Sequence, residues 1–248
     1  MQTLPNESLD DLLPGGLKLI QAKDGYRSSI DPVLLSGFVA DKNLGRVADL
    51  GTGSGIIPLL LAARGLASSV IGIERQVALA DRARRNVVGN AFDSLIEIVE
   101  ADIRSLPADM TGRFDTVVTN PPYRHPDSGR ISPQDERAMA RHELAGGLDD
   151  FLQTAALLLK HGGRFVIVYL AERLPELLGG MCSVNLQPKR LRLVHSRSGD
   201  AARLVLVEAR KGGQPGLVAL APLIIYAGEG RDYSEEVLEM YRIDSDGN

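Results

Sequence analysis

The residues from Val47 to Arg64 constrain the fold more than any other part of the sequence. A short apolar run with an acid at Asp49 leads into Gly51-Thr52-Gly53-Ser54-Gly55, and the helix-like run Leu59-Leu60-Leu61-Ala62-Ala63-Arg64 follows. Alternate glycines allow a sharp turn and let a ligand approach bare backbone, because no Cβ stands in the way. Amide groups near the start of a helix favour a carboxylate or phosphate. We therefore predict a strand, a tight ligand-binding loop and a helix.

The spacing of the glycines narrows the choice of ligand. It is G-x-G-x-G rather than the G-x-G-x-x-G of dinucleotide binders, and the chain has no G-x-x-x-x-G-K-[ST] phosphate loop. With Asp49 leading, the stretch resembles the D-x-G-x-G-x-G first motif of Rossmann-like methyltransferases that use S-adenosylmethionine (SAM). The resemblance implies that SAM is the cofactor and that this loop binds its amino-acid end. The residues concerned are Asp49, Gly51, Thr52, Gly53 and Gly55.

Composition is that of an ordinary globular protein. The 248 residues are 44% hydrophobic and 24% charged, and the net charge of −4 gives no global argument for a nucleic-acid partner. The single cysteine, Cys182, excludes an intrachain disulfide, and no His/Asp/Glu cluster supports a metal site. No signal pattern or apolar run of about 18 residues is present, so we expect a cytoplasmic protein.

Strands alternate with helices along the chain, which predicts right-handed βαβ units and a parallel sheet. The last two strands, Lys189–His195 and Arg203–Ala209, flank a polar turn and predict an antiparallel hairpin. The predicted fold class is α/β, a Rossmann-like class I SAM-dependent methyltransferase with a seven-stranded, mostly parallel sheet. We expect one domain over 1–248, with an N-terminal extension, 1–40, closing over the cofactor and a core at 41–248.

Further cofactor contacts are expected after the second and third strands. Glu74 ends the strand Ser69–Glu74, where Rossmann-like folds place a carboxylate that accepts both hydrogens of a ribose diol. Arg75, beside it, is counted with the cofactor-binding residues. The resemblance implies that Asp102 accepts the adenine amine of SAM and that the adjacent Ile103 backbone reads the ring edge.

The N-terminal segment offers candidates whose roles stay open. The resemblance implies that Tyr26, Arg27 and Asp31 contact SAM, but Asp31 before Pro32 equally suits a helix N-cap. Residues 7–13 read as a polar lead-in that ends in a turn. The arginine-rich helix at 76–90 reads most simply as a solvated face.

The tetrapeptide Asn120-Pro121-Pro122-Tyr123, directly after the strand Phe114–Thr119, is the most informative motif. An amine conjugated to a ring or carbonyl is a poor nucleophile because its lone pair is delocalised. The Asn120 side-chain carbonyl and the Pro121 backbone carbonyl can each accept one N–H of such a group. Pro121 and Pro122 fix the backbone, and Tyr123 can stack on a planar target. We therefore predict catalytic roles for all four residues, with Asn120 also next to the cofactor.

This motif resembles that of the SAM-dependent amino-methyltransferases, which act on adenine N6 in DNA or RNA, guanine N2 in rRNA or glutamine N5 in release factors. Across residues 15–242 the order of motifs resembles bacterial tRNA1(Val) (adenine(37)-N6)-methyltransferases. That resemblance implies methylation of an RNA adenine beside a tRNA anticodon. Glutamine methylation and a non-catalytic SAM-binding, RNA-binding module remain alternatives, although the few residues before Asp49 leave no room for the helical domain usual in glutamine enzymes.

Two basic regions are candidates for RNA contact. The loop after the motif carries Arg124, Arg130, Arg137, Arg141 and His142 among interleaved acids, and a solvated helix is as good an interpretation. Between Leu186 and Gly213, seven Lys or Arg face two acids, which indicates either an RNA-binding patch or a charged sheet edge.

Overall fold

The computed structural model describes residues 1–12, 16–23, 29–40, 43–123 and 146–242. They form an α/β fold in which helices cover a central sheet. The strands are β1 Glu7–Asp11, β2 Lys18–Ala22, β3 Arg46–Leu50, β4 Ser69–Glu74, β5 Ile96–Glu100, β6 Phe114–Thr119, β7 Leu159–Leu170, β8 Leu186–His195, β9 Ala202–Lys211, β10 Val218–Ala219 and β11 Leu223–Ile224. The helices are α1 Asp31–Phe38, α2 Ile56–Ala63, α3 Val77–Gly89, α4 Leu148–Leu158, α5 Leu174–Ser183 and α6 Glu235–Met240.

The central sheet confirms the predicted fold class. Its strand order is β10-β8-β9-β7-β6-β3-β4-β5, with β11 also paired to β8. The strands β3 to β7 pair in parallel, and β9 runs antiparallel to both β7 and β8. Seven of these strands, in the order β8-β9-β7-β6-β3-β4-β5, are those expected from the sequence. The two-residue strands β10 and β11 lengthen the sheet beside β8.

The order of strands reverses at β3, which fixes the place of a ligand site. From β3 the chain first adds β4 and β5 on one side and then returns to place β6 on the other. In open α/β sheets, ligands bind beyond the carboxyl ends of the strands at such a switch point. Leu50, Ile73 and Thr119 are paired across these strands. The residues that follow them, Gly51, Glu74 and Asn120, therefore emerge together.

Each face of the sheet has its own hydrophobic core, because alternate strand residues point to opposite sides. On β3, Val47 joins the cluster that also contains residues of α1 and α2, whereas Leu50 joins the cluster with residues of α4 and α5. Both clusters consist mainly of fully buried aliphatic side chains. The sheet is thus covered on both faces. Polar side chains that could bind a ligand are therefore expected at the ends of its strands.

Two expectations, for the N-terminal residues and for the arginines of α3, differ from the structure. The polar lead-in is strand β1, which pairs antiparallel with β2. Its Glu7 is buried, and its carboxylate accepts hydrogen bonds from Arg82 at 3.0 Å and Arg85 at 2.7 Å. Hydrogen bonding to Arg85 lowers the pKa of Glu7 to about 2. The interpretation of the α3 arginines as a solvated face was therefore wrong for Arg82, because a buried carboxylate needs charged partners.

Candidate active site

The glycine loop has the geometry expected of a ligand-binding turn. Gly51, Gly53 and Gly55 all have positive φ, at 70°, 58° and 82°, a conformation that side chains disfavour. A Cβ added to Gly55 would lie 3.3 Å from Ala83, and one on Gly51 would lie 3.4 Å from Phe151. A Cβ on Gly53 would meet nothing within 4 Å. Gly53 therefore presents bare backbone to open space.

Asp49 and Thr52 hold buried polar atoms without hydrogen-bond partners. Neither carboxylate oxygen of Asp49 has one in the structure, nor has the Thr52 hydroxyl. Burial, with a smaller contribution from the negative charge of Glu74, raises the pKa of Asp49 to about 7. The adjacent Thr52 hydroxyl offsets part of this shift without meeting the geometry of a hydrogen bond. Unsatisfied buried acceptors cost free energy, so this pair suits a ligand that brings N–H donors.

Glu74 is buried at the end of β4, only 6% exposed. Its Oε2 accepts the Gly53 amide at 3.0 Å, and its Oε1 accepts the Gln76 amide at 2.8 Å. Burial raises its pKa, although these backbone amides oppose the shift. Each carboxylate oxygen has two lone pairs, so both can still accept a hydroxyl. Glu74 therefore keeps acceptor sites for the ribose contact, which stays a prediction.

Asp102 is held by an arginine that sequence reasoning did not single out. The Arg104 guanidinium donates to both carboxylate oxygens at 3.0 and 2.6 Å, and the Arg104 amide donates at 3.0 Å. Arg75 lies 3.3 Å away as a second ion pair. Hydrogen bonding to Arg104 lowers the pKa of Asp102 to about 2. An amine bound by Asp102 would accordingly share this ionised carboxylate with Arg104. The adjacent Ile103 is buried.

Tyr123, the last residue of the Asn120–Tyr123 motif, contacts two of the predicted site residues. Its hydroxyl is 2.6 Å from Asn120 Oδ1 and 2.8 Å from Asp31 Oδ2. Its ring meets that of Tyr169 edge-on, with centroids 5.8 Å apart. Arg173 donates to the Tyr123 backbone carbonyl at 3.4 Å and lies over the Tyr169 ring. Sequence reasoning missed Tyr169 and Arg173 because neither belongs to a local motif.

Asp31 is not the helix cap that its position before Pro32 suggested. Ile30 is the N-cap residue, Asp31 begins α1, and the Asp31 carboxylate does not cap this end. The Asp31 carboxylate is buried and faces Tyr123, 92 residues further along the chain. The capping interpretation was therefore wrong.

The structure brings most predicted site residues to one edge of the sheet. Those that follow β3, β4 and β6 lie at neighbouring strand ends. Tyr26 and Arg27 lie outside the described residues, as do Arg124, Arg130, Arg137, Arg141 and His142. Within the described part of the chain, no group of three His, Cys, Asp or Glu side chains could hold a metal ion, and no helix is long and apolar enough to cross a membrane.

Six of the seven basic residues between Leu186 and Gly213 contact the protein itself. Arg190 pairs with the buried Glu208 at 2.7 Å, and Arg192 pairs with Glu236 at 2.5 Å. Arg197 donates to three backbone carbonyls of residues 228–230. The remaining basic side chains with backbone contacts are Lys189, Arg210 and Lys211. Arg192 and Arg197 therefore join the C-terminal segment to the sheet.

Known proteins of similar sequence are methyltransferases. The model of the methyltransferase small domain family matches residues 30–176. A tRNA1(Val) (adenine(37)-N6)-methyltransferase of Bacteroides thetaiotaomicron is 31% identical over 186 residues, 75% of this chain and 77% of that protein. The protein of the same name from Dickeya chrysanthemi is 31% identical over 217 residues, 86% of this chain and 85% of its own.

A solved structure supports the same conclusion. The crystal structure of a predicted O-methyltransferase from Agrobacterium tumefaciens superposes with a TM-score of 0.69 and 28% identity, covering 85% of this chain and 95% of that one. That protein is named for methylation of an oxygen, whereas the relatives of similar identity are named for methylation of a nitrogen. The chain thus belongs to the methyltransferase small domain family, within the group of the tRNA1(Val) (adenine(37)-N6)-methyltransferases, and is a SAM-dependent methyltransferase.

Proposed function

We propose that this enzyme transfers the methyl group of SAM to the exocyclic N6 of an adenine in tRNA, next to the anticodon. The observation that carries the proposal is the position of Asn120 and Pro121, which follow β6 beside the glycine loop that follows β3. The names of the relatives support tRNA as the substrate class. A tRNA substrate also implies that the enzyme works in the cytoplasm.

The residues at the strand ends fit SAM. Unpartnered Asp49 and Thr52 suit the ammonium of its amino-acid end, and Gly53 leaves room for close approach. Glu74 would hold the ribose hydroxyls, and Asp102 the adenine amine. Bound here, SAM supplies an electrophilic methyl group attached to a sulfonium.

Asn120 and Pro121 suit an amine whose lone pair is delocalised into a ring. The side-chain carbonyl of Asn120 and the backbone carbonyl of Pro121 would each accept one N–H of the target, which localises the lone pair on nitrogen. Pro122 helps to keep both carbonyls in place, and preorganisation of this kind lowers the barrier. The nitrogen bonds to the methyl carbon as the carbon–sulfur bond breaks, and one N–H proton then leaves to solvent. No general base with a shifted pKa is needed.

The target base must leave its stack to reach this edge of the sheet. Adenines in RNA loops are the easiest to unstack, and proteins read such bases by stacking and by hydrogen bonds to their edges. Tyr123 would provide the stacking surface. This requirement favours an anticodon-loop adenine over one in a duplex.

The experiment identifies the product rather than the transfer alone. The protein is incubated with methyl-labelled SAM and, separately, with unmodified valine tRNA transcripts and a release factor, and each substrate is digested to monomers. We expect N6-methyladenosine from tRNA, and none from a matched transcript whose adenine following the anticodon is replaced by guanine. Methylglutamine from the release factor would replace the proposal with the glutamine alternative. Label in neither substrate would overturn it.

A further inference from the structure

The hydroxyl of Tyr123 lies between two oxygen acceptors. It is 2.8 Å from the carboxylate of Asp31 and 2.6 Å from Oδ1 of Asn120. A phenol carries a single hydrogen, and a carboxylate is an acceptor only. The hydrogen can therefore satisfy one neighbour at a time, and the other contact then joins two oxygens without a hydrogen between them.

The two placements of this hydrogen have opposite consequences for Asn120. When Tyr123 donates to Asn120, the amide oxygen proposed to bind the target amine is occupied. When Tyr123 donates to Asp31, the hydroxyl oxygen becomes an acceptor. The Asn120 amide can then rotate by about 180° with almost no change in shape, because its oxygen and nitrogen are nearly equal in size. Its NH₂ group faces Tyr123, and its carbonyl oxygen is free.

We propose that Asp31 is a positioning residue that sets the direction of this hydrogen-bond chain, in which Asn120 donates to Tyr123 and Tyr123 donates to Asp31. The inference rests on the proposed function for the identity of the amine and on the observed contacts for the chain itself. Asp31 thereby presents the carbonyl oxygen of Asn120 to the target.

The surroundings hold Tyr123 in place for this role. Asp31 is buried at the start of α1, so its carboxylate is not free to turn to water. Tyr169 packs edge-on against the ring of Tyr123, and Arg173 holds the backbone carbonyl of the same residue. Burial raises the pKa of Tyr169 to about 12, which keeps that neighbour uncharged. The hydroxyl of Tyr123 therefore has a fixed position between its two acceptors.

A double-mutant cycle tests the proposal. In the wild-type background, Asp31→Ala is expected to lower kcat at least ~10-fold, because the Tyr123 hydrogen then stays on Asn120. In the Tyr123→Phe background, the same change should lower kcat less than about 2-fold, because no hydroxyl competes for the amide. Asp31→Asn keeps an acceptor and should fall between. The Kd of SAM, measured by calorimetry, should be unchanged by Asp31→Ala.

Equal losses of kcat in the two backgrounds would overturn the proposal. A raised Kd for SAM with unchanged kcat would also overturn it, and would instead make Asp31 a direct cofactor contact.

A second measurement does not depend on the substrate. The side-chain NH₂ signal of Asn120, identified by its loss in Asn120→Asp, should be shifted by hydrogen bonding in the wild type and should move in Asp31→Ala. If wild-type protein methylates no amine, the proposed function fails, whereas the hydrogen-bond chain still stands or falls by this signal. An Asn120 signal that Asp31→Ala leaves unchanged would contradict the chain.

Discussion

Two regions of the sheet treat their polar groups in opposite ways. Where β3, β4 and β6 end, Asp49 and Thr52 hold buried polar atoms without partners, and Gly53 leaves backbone exposed to open space. At β8 and the C-terminal segment, the guanidinium groups of Arg190, Arg192 and Arg197 contact carboxylates or carbonyls of the chain itself. The first region is incomplete without a ligand, whereas the second is complete as it folds. Unmet hydrogen-bonding capacity, rather than charge, marks the functional edge.

The aromatic side chains of the C-terminal segment also find their partners within the protein. The rings of Tyr226, Tyr233 and Tyr241 stack in sequence, with centroids 5.8 and 5.4 Å apart. Arg197 lies over the ring of Tyr226, 5.3 Å from its centroid. Tyr226 therefore has two partners within the protein, and we interpret this stack as stabilising the fold.

The largest expected effect is on the stability of the region whose polar groups lack partners, and it concerns Asp49. Its pKa of about 7 in the folded protein exceeds the ordinary value of 3.8. The protonated carboxyl therefore favours the folded state fully below pH 4, and this contribution to the free energy of unfolding is lost as the pH rises to about 7. Asp49→Asn removes this loss. The variant should gain up to ~4 kcal/mol in unfolding free energy relative to wild type between pH 4 and pH 8, and should bind SAM more weakly.

Urea unfolding at several pH values, without SAM, measures this effect. A stability difference that does not change with pH would show that the buried carboxylate does not titrate as its environment predicts.

Asn120→Ala should have the next largest effect. Removing a group that orients the reacting atoms typically costs ~10²–10³-fold in kcat. Stability should change little, because Asn120 is only partly buried. Methyl transfer to tRNA measures the effect, with Gln214→Ala as control because Gln214 is exposed beyond the far end of β9. Equal activity of the two variants would remove Asn120 from the mechanism.

Arg190→Met tests the completed region. The change leaves the buried Glu208 carboxylate without its partner, so the unfolding free energy should fall by ~2 kcal/mol. Arg203→Met, at an exposed residue of the neighbouring strand β9, is the matched control and should stay within ~0.5 kcal/mol of wild type. Thermal unfolding gives the first quantity, and tRNA binding gives a second. Weaker tRNA binding at unchanged stability would break the comparison, because it would make Arg190 part of the substrate surface.

The smallest effect on stability separates backbone strain from ligand contact. Gly53 and Gly65 have similar positive φ, 58° and 62°, and a Cβ at either position meets nothing within 4 Å. Alanine at either site should cost ~1–2 kcal/mol of stability. Only Gly53→Ala should also weaken SAM binding, by ~10-fold or more, because its Cβ would enter the space where the cofactor approaches. Equal SAM affinity for the two variants would contradict the assigned ligand position.

The sequence was enough to predict the sheet and the strand-end motifs because both are local patterns. A short apolar run marked β3, and alternate glycines with a leading acid marked the loop after it. Each pattern lies within about a dozen residues of chain, and its physical cause is equally local.

The contacts that the sequence did not predict join distant residues. The pairing of Asp31 with Tyr123, like that of Glu7 with Arg82, depends on how separate elements pack. The periodicity of the sequence does not indicate such contacts. The same limit explains the error over the α3 arginines, since a charged residue in a helix has the same local pattern whether it faces water or a buried acid.

The buried amide of Asn86 on α3 has a practical consequence for shortened versions of this enzyme. It bonds both backbone groups of Ile20 on β2, at 2.7 and 3.2 Å, and the Ser54 carbonyl of the glycine loop at 2.9 Å. A version trimmed to begin at β3 would leave this amide half-satisfied and would strip Arg82 of its carboxylate. Trimming the first 40 residues would thus remove support from the glycine loop, and a minimal enzyme has to keep its first two strands.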